Sequence, residues 1–503
     1  MDIHPIDGAL IALYLGAMVI MGVRMRRQVR DAHDFFLAGR SLTWVVIGLS
    51  IIGTNVSAEG YVGASGGAWQ VGIAQANFEW IGAIPAMVLA ALVFIPLYWR
   101  AGVYSIPEYL GLRYAPSVRV VAALITSVFS IFATGVALWA IALTLETYTG
   151  LPIPFGIVVM GAVVGIYSIS GGLRAIAFTD AVQVAIMFLA GLVVVWIGLR
   201  ETGGLAGFAA ALERANPTHL QAFLPADHPD FPWPGVLLGL AMVLSPAYWC
   251  GSQSILQRTL GARTAWDASA AMMFAAFGKT LVPLLIIFPG LLALVLAAEL
   301  RYPDMALPWV VKHLLPPGLS GLMFIALIAA LQSTIDSAIN STALMIVRDI
   351  RGVLGRRTVP DGARDLVLGR RISIAILLGA MAFAPFVGHF GGIYQLIQTL
   401  LSLFQGPLFA LLLMGALTRS ATPRAGLVAL VTGVVLSAAL LGFGINMLYV
   451  AFLSFCYALV VIAGVSRLTP PLPAAALDRL TYRRGSAVTD QAPLDPAAPG
   501  PAK

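Results

Sequence analysis

Apolar blocks of about 20 residues recur a dozen or more times along the chain, each long enough to cross roughly 30 Å of hydrocarbon. A soluble fold of 503 residues would need a polar skin that this chain does not have: 59% of its residues are hydrophobic and 11% charged. Soluble domains run at about 45–50% apolar and about 25% charged. The pattern therefore predicts an all-α polytopic membrane protein. It argues against a nucleic-acid-binding protein, a secreted disulfide scaffold and a soluble enzyme. Cys250 and Cys456 both lie inside apolar blocks, so they read as small apolar fillers rather than as a disulfide framework.

The blocks divide into thirteen predicted spans. The first begins after Asp7, has no basic segment before it, and is followed by Arg24, Arg26, Arg27 and Arg30. That order reads as a retained helix rather than a cleaved leader. Placing the N-terminus outside puts 25 of the 30 Lys and Arg in cytoplasmic loops or in the C-terminal tail. The segment from Arg348 to Arg371 alone holds seven arginines. This asymmetry predicts an outside N-terminus and a cytoplasmic C-terminus, in a plasma membrane or bacterial inner membrane. The residues after 467, rich in Pro and Ala, read as a disordered cytoplasmic tail with no second soluble domain.

Two spans are interrupted as a lipid-facing helix would not be. The second carries Gly53-Thr54-Asn55-Val56-Ser57-Ala58-Glu59-Gly60 at mid-membrane, and the seventh carries Ser245-Pro246 ahead of Tyr248-Trp249-Cys250-Gly251. Glycine and proline leave backbone carbonyls without partners, which is acceptable at that depth only beside a cavity or inside protein. The interruptions lie five spans apart, so spans two to six and seven to eleven read as inverted five-helix repeats with discontinuous first helices. Paired broken helices point to a transporter's midplane site.

The ninth span carries a polar stripe. Ser333, Asp336, Ser337 and Asn340 share one helix face, and hydroxyl, amide and carboxylate oxygens suit a small hard cation such as sodium. All six histidines lie in loops or near span ends, which leaves a histidine-held transition metal without support. Asp336 is the informative member, because a mid-span carboxylate costs at least ~2.5–3.5 kcal/mol unless paired, solvated or protonated. Glu79 and Lys279 read either as a pair joining two helices or as ligand contacts. Asp180 reads as equally well explained by interfacial solvation or by function.

These stretches, together with Gly63 to Gly67, Phe78-Glu79-Trp80, Gly171-Gly172-Leu173-Arg174-Ala175, Phe231-Pro232-Trp233, Gln257-Arg258 and Phe274 to Lys279, resemble the sodium:solute symporters, and among them the sodium/glucose cotransporter type. The resemblance covers about residues 5 to 466. It implies a leucine-transporter-like fold. The expected divisions are an extra N-terminal helix and loop over 1–41 and a first repeat over 42–199. An extracellular loop over 200–232 precedes the second repeat at 233–418, two extra helices at 419–467 and the tail at 468–503.

Position by position, the resemblance implies a sodium site from the carbonyls of Gly53, Val56 and Ala330 and the hydroxyls of Ser333 and Thr334. A second cation would fall among Asp180, Ser333, Asp336 and Ser337; two cations per solute are expected, the alternatives being a proton in place of the second sodium or a protonated Asp336 that only hydrogen-bonds a neighbour. Asp336 stands where the family pattern has a serine or threonine. Sugar contacts map onto Glu79, Lys279 and Gln398, with Asn55 and Ser245 beside them, Tyr248 as inner gate and Tyr394 near the ligand. Two sugar-contact positions depart from the pattern, Gly60 replacing a glutamine and Ser245 an asparagine.

The function expected is sodium-coupled symport of a hexose-like sugar by alternating access. Sodium is the coupling ion, there is no organic cofactor or required protein partner, and no enzymatic activity is expected. Inositol, proline or a carboxylate are the alternatives within the same machine. An anion is disfavoured because the predicted spans contain no arginine and Glu79 would repel it. A membrane sensor module is the reading from another class, with too short a tail to hold a kinase.

Overall fold

The computed structural model describes residues 4–25, 32–296, 299–355, 362–390 and 392–482. Arg26, Arg27 and Arg30 lie outside the described residues, as does the Glu59 side chain. Helices make up most of the described residues, joined by irregular loops, with isolated bridges and no strands among them. Eight helices are long and apolar enough to cross a membrane, or up to ten if each of two bent pairs counts as one span. Three shorter apolar helices accompany them.

In chain order the elements that matter are α1 (Pro5–Met25), α2 (Trp44–Asn55), α3 (Ala58–Val71), α4 (79–101), α5 (Ile106–Arg113), α6 (Pro116–Thr149) and α7 (Ile153–Glu201). After a loop that carries α8 (Gly204–Ala215) come α9 (Trp233–Gly251), α10 (Gln253–Leu260), α11 (Ala265–Lys279) and α12 (Val282–Leu296). The last part holds α13 (Ala306–Leu314), α14 (Leu319–Leu344), α15 (Gly362–Phe383), α16 (Ile393–Ser402), α17 (Gln405–Leu417), α18 (Pro423–Gly442) and α19 (Met447–Leu468).

The centre of the molecule is α14. Each of its residues from Met323 to Leu344 is buried. It packs on α7 most extensively and also on α1, α6 and α15. Its polar stripe is therefore internal, which is where a membrane protein keeps polar side chains that could not face lipid. By contrast, two thirds of the apolar window of α18 lies at the surface, where lipid would meet it.

The chain breaks where the first polar interruption predicts. Val56 leaves the helical region at φ −82°, ψ 69°, and Ser57 restarts it as an N-cap, its Oγ accepting from the Gly60 N–H at 3.0 Å. The second break is displaced from the sequence expectation. Ser245-Pro246 stays helical, and the interruption falls at Ser252, extended at φ −71°, ψ 116°, between α9 and α10. The residues before Ser245 wind as a π-helix over Val236–Leu244. The wider register there absorbs the donor that proline removes, and the chain opens one and a half turns later at Gly251-Ser252.

The helix α7 joins two predicted spans across Gly172, whose φ of 62° suits glycine and whose missing Cβ leaves room for the Phe35 backbone 3.0 Å away. At Gly290 of α12, a Cβ would lie 1.9 Å from the carbonyl oxygen of Ser65, so α12 and α3 touch backbone to backbone.

The tail corrects a second expectation. Residues 469–482 pack against the bundle: Tyr482 N–H donates to Ala416 O at 2.7 Å, Tyr109 OH to Leu480 O at 2.9 Å and Arg100 Nη2 to Thr481 O at 3.0 Å. Leu477 and Leu480 are buried. Two apolar anchors suffice to dock a proline-rich stretch whose composition alone reads as unstructured. Residues 483–503 lie outside the described part.

Candidate functional site

A cavity of about 170 Å³ lies between the two breaks. It is lined from the first break by Thr54, Asn55 and Ser57, and from α4 and its approach by Phe78 and Glu79. The α9–α10 segment contributes Ser245, Tyr248 and Gln253, while Lys279, Thr334, Tyr394 and Gln398 complete the wall. Glu79 and Lys279 are its charged lining residues. They form a buried ion pair, and the same ammonium donates to Asn55 Oδ1. Lys279 Nζ also lies 5.9 Å from the Trp249 ring centroid. The three residues to which the resemblance gives sugar contacts, Glu79, Lys279 and Gln398, line this one cavity, as do the two further candidates Asn55 and Ser245 and the tyrosines Tyr248 and Tyr394.

One end of the cavity is closed by rings. Phe78 meets Tyr394 edge-to-face at 4.9 Å between centroids and Phe231 at 5.4 Å. Phe231 belongs to the loop before α9, so this is the end that carries the long loop over residues 202–232. At the other end the lining is Ser252, Gln253, Ser254 and Gln405. Beyond the rings, Asp304 is buried and accepts from the N–H of Ile393 at the start of α16 at 3.0 Å. Burial raises its carboxyl from the ordinary 3.8 to about 7, against the opposing effect of that hydrogen bond.

Hydroxyl groups of the first break and of α14 meet beside the cavity, whose wall includes Thr54 and Thr334. Thr54 Oγ1 lies 3.1 Å from Ser337 Oγ and 3.4 Å from Ser333 Oγ. Thr334 Oγ1 donates to Ala330 O at 3.0 Å, and Ser337 Oγ to Ser333 O at 2.5 Å. Gly53 lets α2 approach α7: a Cβ there would stand 2.9 Å from Val184 and 3.5 Å from Asp180. Thr54 and Asn55, adjacent in sequence, thus face two clusters, hydroxyls on one side and the Glu79–Lys279 pair on the other.

Asp180 is wholly buried rather than interfacial, and its partner overturns a premise of the sequence reading. Arg258, on α10 and 1% exposed, donates through Nη2 to Asp180 Oδ2 at 3.1 Å and to Ser337 Oγ, and through Nε to Ser50 Oγ at 2.5 Å. Ser50 Oγ also donates to Asp180 Oδ2. The core therefore does contain an arginine, although Arg258 does not line the cavity. Predicted spans end near residue 255 because hydropathy fades there, yet α10 folds inward behind the break at Ser252. Asp336 is buried on the same helix as Ser333 and Ser337, within electrostatic reach of Tyr14.

Sequence reasoning passed over Ser50, Thr54 and the cluster formed by Tyr14, Gln183 and Gln332. In that cluster Tyr14 OH donates to Gln332 Oε1 at 2.6 Å, and Gln183 Nε2 donates to both at 3.1 Å. Ser50 and Thr54 were legible as an i, i+4 pair on one face of the helix that breaks. The Tyr14 cluster had no such signal, because its three residues come from three distant helices.

A helical bundle with two broken helices meeting at a central cavity, one side of it ion-paired and the other hydroxyl-rich, has the build of a membrane transporter. Residues 35–433 match the sodium:solute symporter family, and the chain belongs to it. It is 31% identical over 459 residues to a sodium/glucose cotransporter of Vibrio parahaemolyticus, covering 85% of this chain and 84% of that one. It is 28% identical to the sodium/glucose cotransporter 1 of Sus scrofa, over 92% of this chain and 78% of that one. It is also 28% identical to the sodium/myo-inositol cotransporter 2 of Rattus norvegicus, over 86% of this chain and 70% of that one.

Among solved structures, the fold matches that of a Na+-coupled sialic acid symporter in a substrate-bound outward-open state. The TM-score is 0.84 and the identity 20%, covering 93% of this chain and 99% of that one. A nucleobase-cation-symport-1 family transporter matches with a TM-score of 0.60 at 14% identity, covering 88% of this chain and 97% of that one. These likenesses establish a leucine-transporter-like fold in a multi-pass membrane protein whose family and neighbours are transporters.

Proposed function

We propose that this chain couples the inward movement of sodium to uptake of a neutral, sugar-like polyol by alternating access. The observation that carries the reading is the first break, where Thr54 turns to the hydroxyls of Ser333 and Ser337 and Asn55 to the Glu79–Lys279 pair. The last turn of α2, at the edge of the break, then touches both the ion and the solute. Whatever orders it for one prepares it for the other, and that is the physical meaning of coupling.

Sodium is held by the carbonyls of Gly53, Val56 and Ala330 and the hydroxyls of Ser333 and Thr334, with Thr54 beside them. The solute lies against Glu79, Lys279, Gln398, Asn55 and Ser245, which supply the mix of donors and acceptors a polyol needs. Because Glu79 and Lys279 cancel, the cavity favours a neutral solute over an anion. Tyr248 acts as the inner gate, and Tyr394 with Phe78 and Phe231 closes the outer end.

The N-terminus is outside and the arginine-rich loops are in the cytoplasm, and the thirteen spans are built on two inverted five-helix repeats. It sits in a plasma membrane or bacterial inner membrane and needs no organic cofactor or protein partner. Inositol is the second reading, supported by the myo-inositol cotransporter among the relatives. Uptake of labelled hexoses and inositols into proteoliposomes, with and without an inward sodium gradient, tests both. Gradient-dependent accumulation of one of them is the expected result, and equal uptake with and without sodium would refute the proposal.

A further inference from the structure

The wall of the central cavity holds one buried carboxamide oxygen without a partner. Among the described residues, the buried side-chain polar atoms of the lining that carry no hydrogen bond are Glu79 Oε2, which is ion-paired with Lys279, and Gln405 Oε1. Gln405 is 3% exposed. Buried polar groups in native proteins are paired, so an orphan in a cavity wall asks for a ligand or a water. The other polar side chains at this end of the cavity are already engaged. Gln253 Oε1 accepts from the Ile106 N–H at 2.8 Å, and its Nε2 donates to Tyr104 O at 3.3 Å. Ser252 and Ser254 pair with each other through their hydroxyls at 3.0 Å. Gln405 is left to meet what enters.

Its backbone is fixed. Gln405 opens α17, just past the bend of 49° that separates it from α16. A Cβ on Gly406 would lie 2.3 Å from Ser454 Oγ and 2.6 Å from Ala451 O, so α17 starts hard against α19. Phe404 packs its ring on Phe129 of α6, with 5.4 Å between centroids. Gln398, Leu401 and Gln405 all line the cavity, at the i, i+3, i+7 spacing of one helix face. Seven residues span about 10 Å of helix, so this broken span presents the cavity with two amides well apart. A contact held on so rigid a support loses little freedom when it binds.

We propose that Gln405 is a solute-recognition residue: its Oε1 accepts from a hydroxyl at the end of the solute remote from the aromatic rings. The solute then needs a hydroxyl there as well as beside the Glu79–Lys279 pair. The proposal rests on the neutral-polyol reading above and narrows it. A site built to hydrogen-bond a hydroxyl rejects the analogue that lacks it, because the site's own group stays buried and unpaired once water is displaced.

The test is a cycle between protein and solute. Labelled D-glucose, D-galactose and myo-inositol are offered to proteoliposomes of the full chain, and the one taken up most is competed with its monodeoxy analogues. The same series is run on Gln405→Met, which keeps the length of the side chain and removes its hydrogen-bonding groups. The variant is expected to melt as the unmodified chain does, since Oε1 holds nothing in the fold. The half-saturating concentration of the parent solute should rise about 5- to 10-fold, the worth of one neutral hydrogen bond. In the unmodified chain one monodeoxy analogue should be weaker than the parent by a similar factor, and that analogue alone should be indifferent to Gln405→Met. Sodium activation at saturating solute should not move.

A loss shared equally by the parent and every analogue, or no loss for the parent, overturns the proposal. If Gln405→Met folds poorly, Gln405→Asn, which withdraws the amide by one methylene, takes its place. Lost selectivity for one hydroxyl then supports the proposal, and a uniform shift overturns it. Uptake indifferent to sodium would refute the symport reading, while the cycle still decides Gln405 because it reads affinity for the solute alone. If none of the three probes enters, the neutral-polyol reading fails and the assignment of Gln405 fails with it.

Discussion

Glu79→Gln tests whether the ion pair in the cavity serves the solute or only the fold. The substitution keeps shape and one acceptor but leaves the Lys279 ammonium with Asn55 and the Trp249 ring alone. The side chains of Glu79 and Lys279 are 8% and 4% exposed. Breaking so buried a pair costs about 3–5 kcal/mol when nothing compensates the stranded charge. The two remaining contacts place the cost here near 3 kcal/mol.

Solute binding loses a charged acceptor, worth about 1.5–3 kcal/mol, or roughly 10- to 150-fold in affinity. The two effects separate in Glu79→Gln/Lys279→Met, which strands no charge. Melting of the purified protein should recover most of the lost stability in the double variant, while the half-saturating solute concentration stays raised at least tenfold. Recovery of uptake together with stability would refute the reasoning and make the pair purely structural.

Ser333→Ala and Thr54→Val should each raise the sodium concentration for half-maximal uptake about 5- to 10-fold, the worth of one neutral ligand hydroxyl. Solute affinity should fall with it at limiting sodium because coupling is reciprocal; unchanged sodium activation in both argues against the site. Asp304 sets a pH dependence. Its carboxyl is raised toward 7 in the folded chain, which holds a proton that the unfolded chain has released. Stability is therefore greatest below about pH 4 and falls as pH rises to about 7. Melting temperatures of Asp304→Asn should lack that slope, and an identical slope in the variant would point to another group. Gly290→Ala places a methyl 1.9 Å from the Ser65 carbonyl oxygen and should cost about 1–3 kcal/mol by overpacking. Gly464→Ala, with open space around it, should cost nothing and serves as control in the same melts.

The sequence alone determined the solvent of this protein, its helical class and the depth of its polar groups. Hydrocarbon thickness and the cost of an unpaired polar group in lipid are read directly from runs of residues. Gly53 to Gly60 announced the first break for the same local reason, and the stripe through Ser333 and Ser337 was a matter of helical spacing.

Tertiary structure decided what local patterns could not carry. Proline at 246 was accommodated by a π-helical stretch upstream, so the second break opened at Ser252. Leu477 and Leu480 found a surface to dock on, which composition could not foresee. Most consequentially, Arg258 sits in a segment too polar to count as membrane-spanning, and 78 residues separate it from Asp180. Only the fold, by turning α10 back against α2 and α14, brings that charge to the carboxylate. A buried charge is defined by its partner, and a partner distant in sequence is a property of packing.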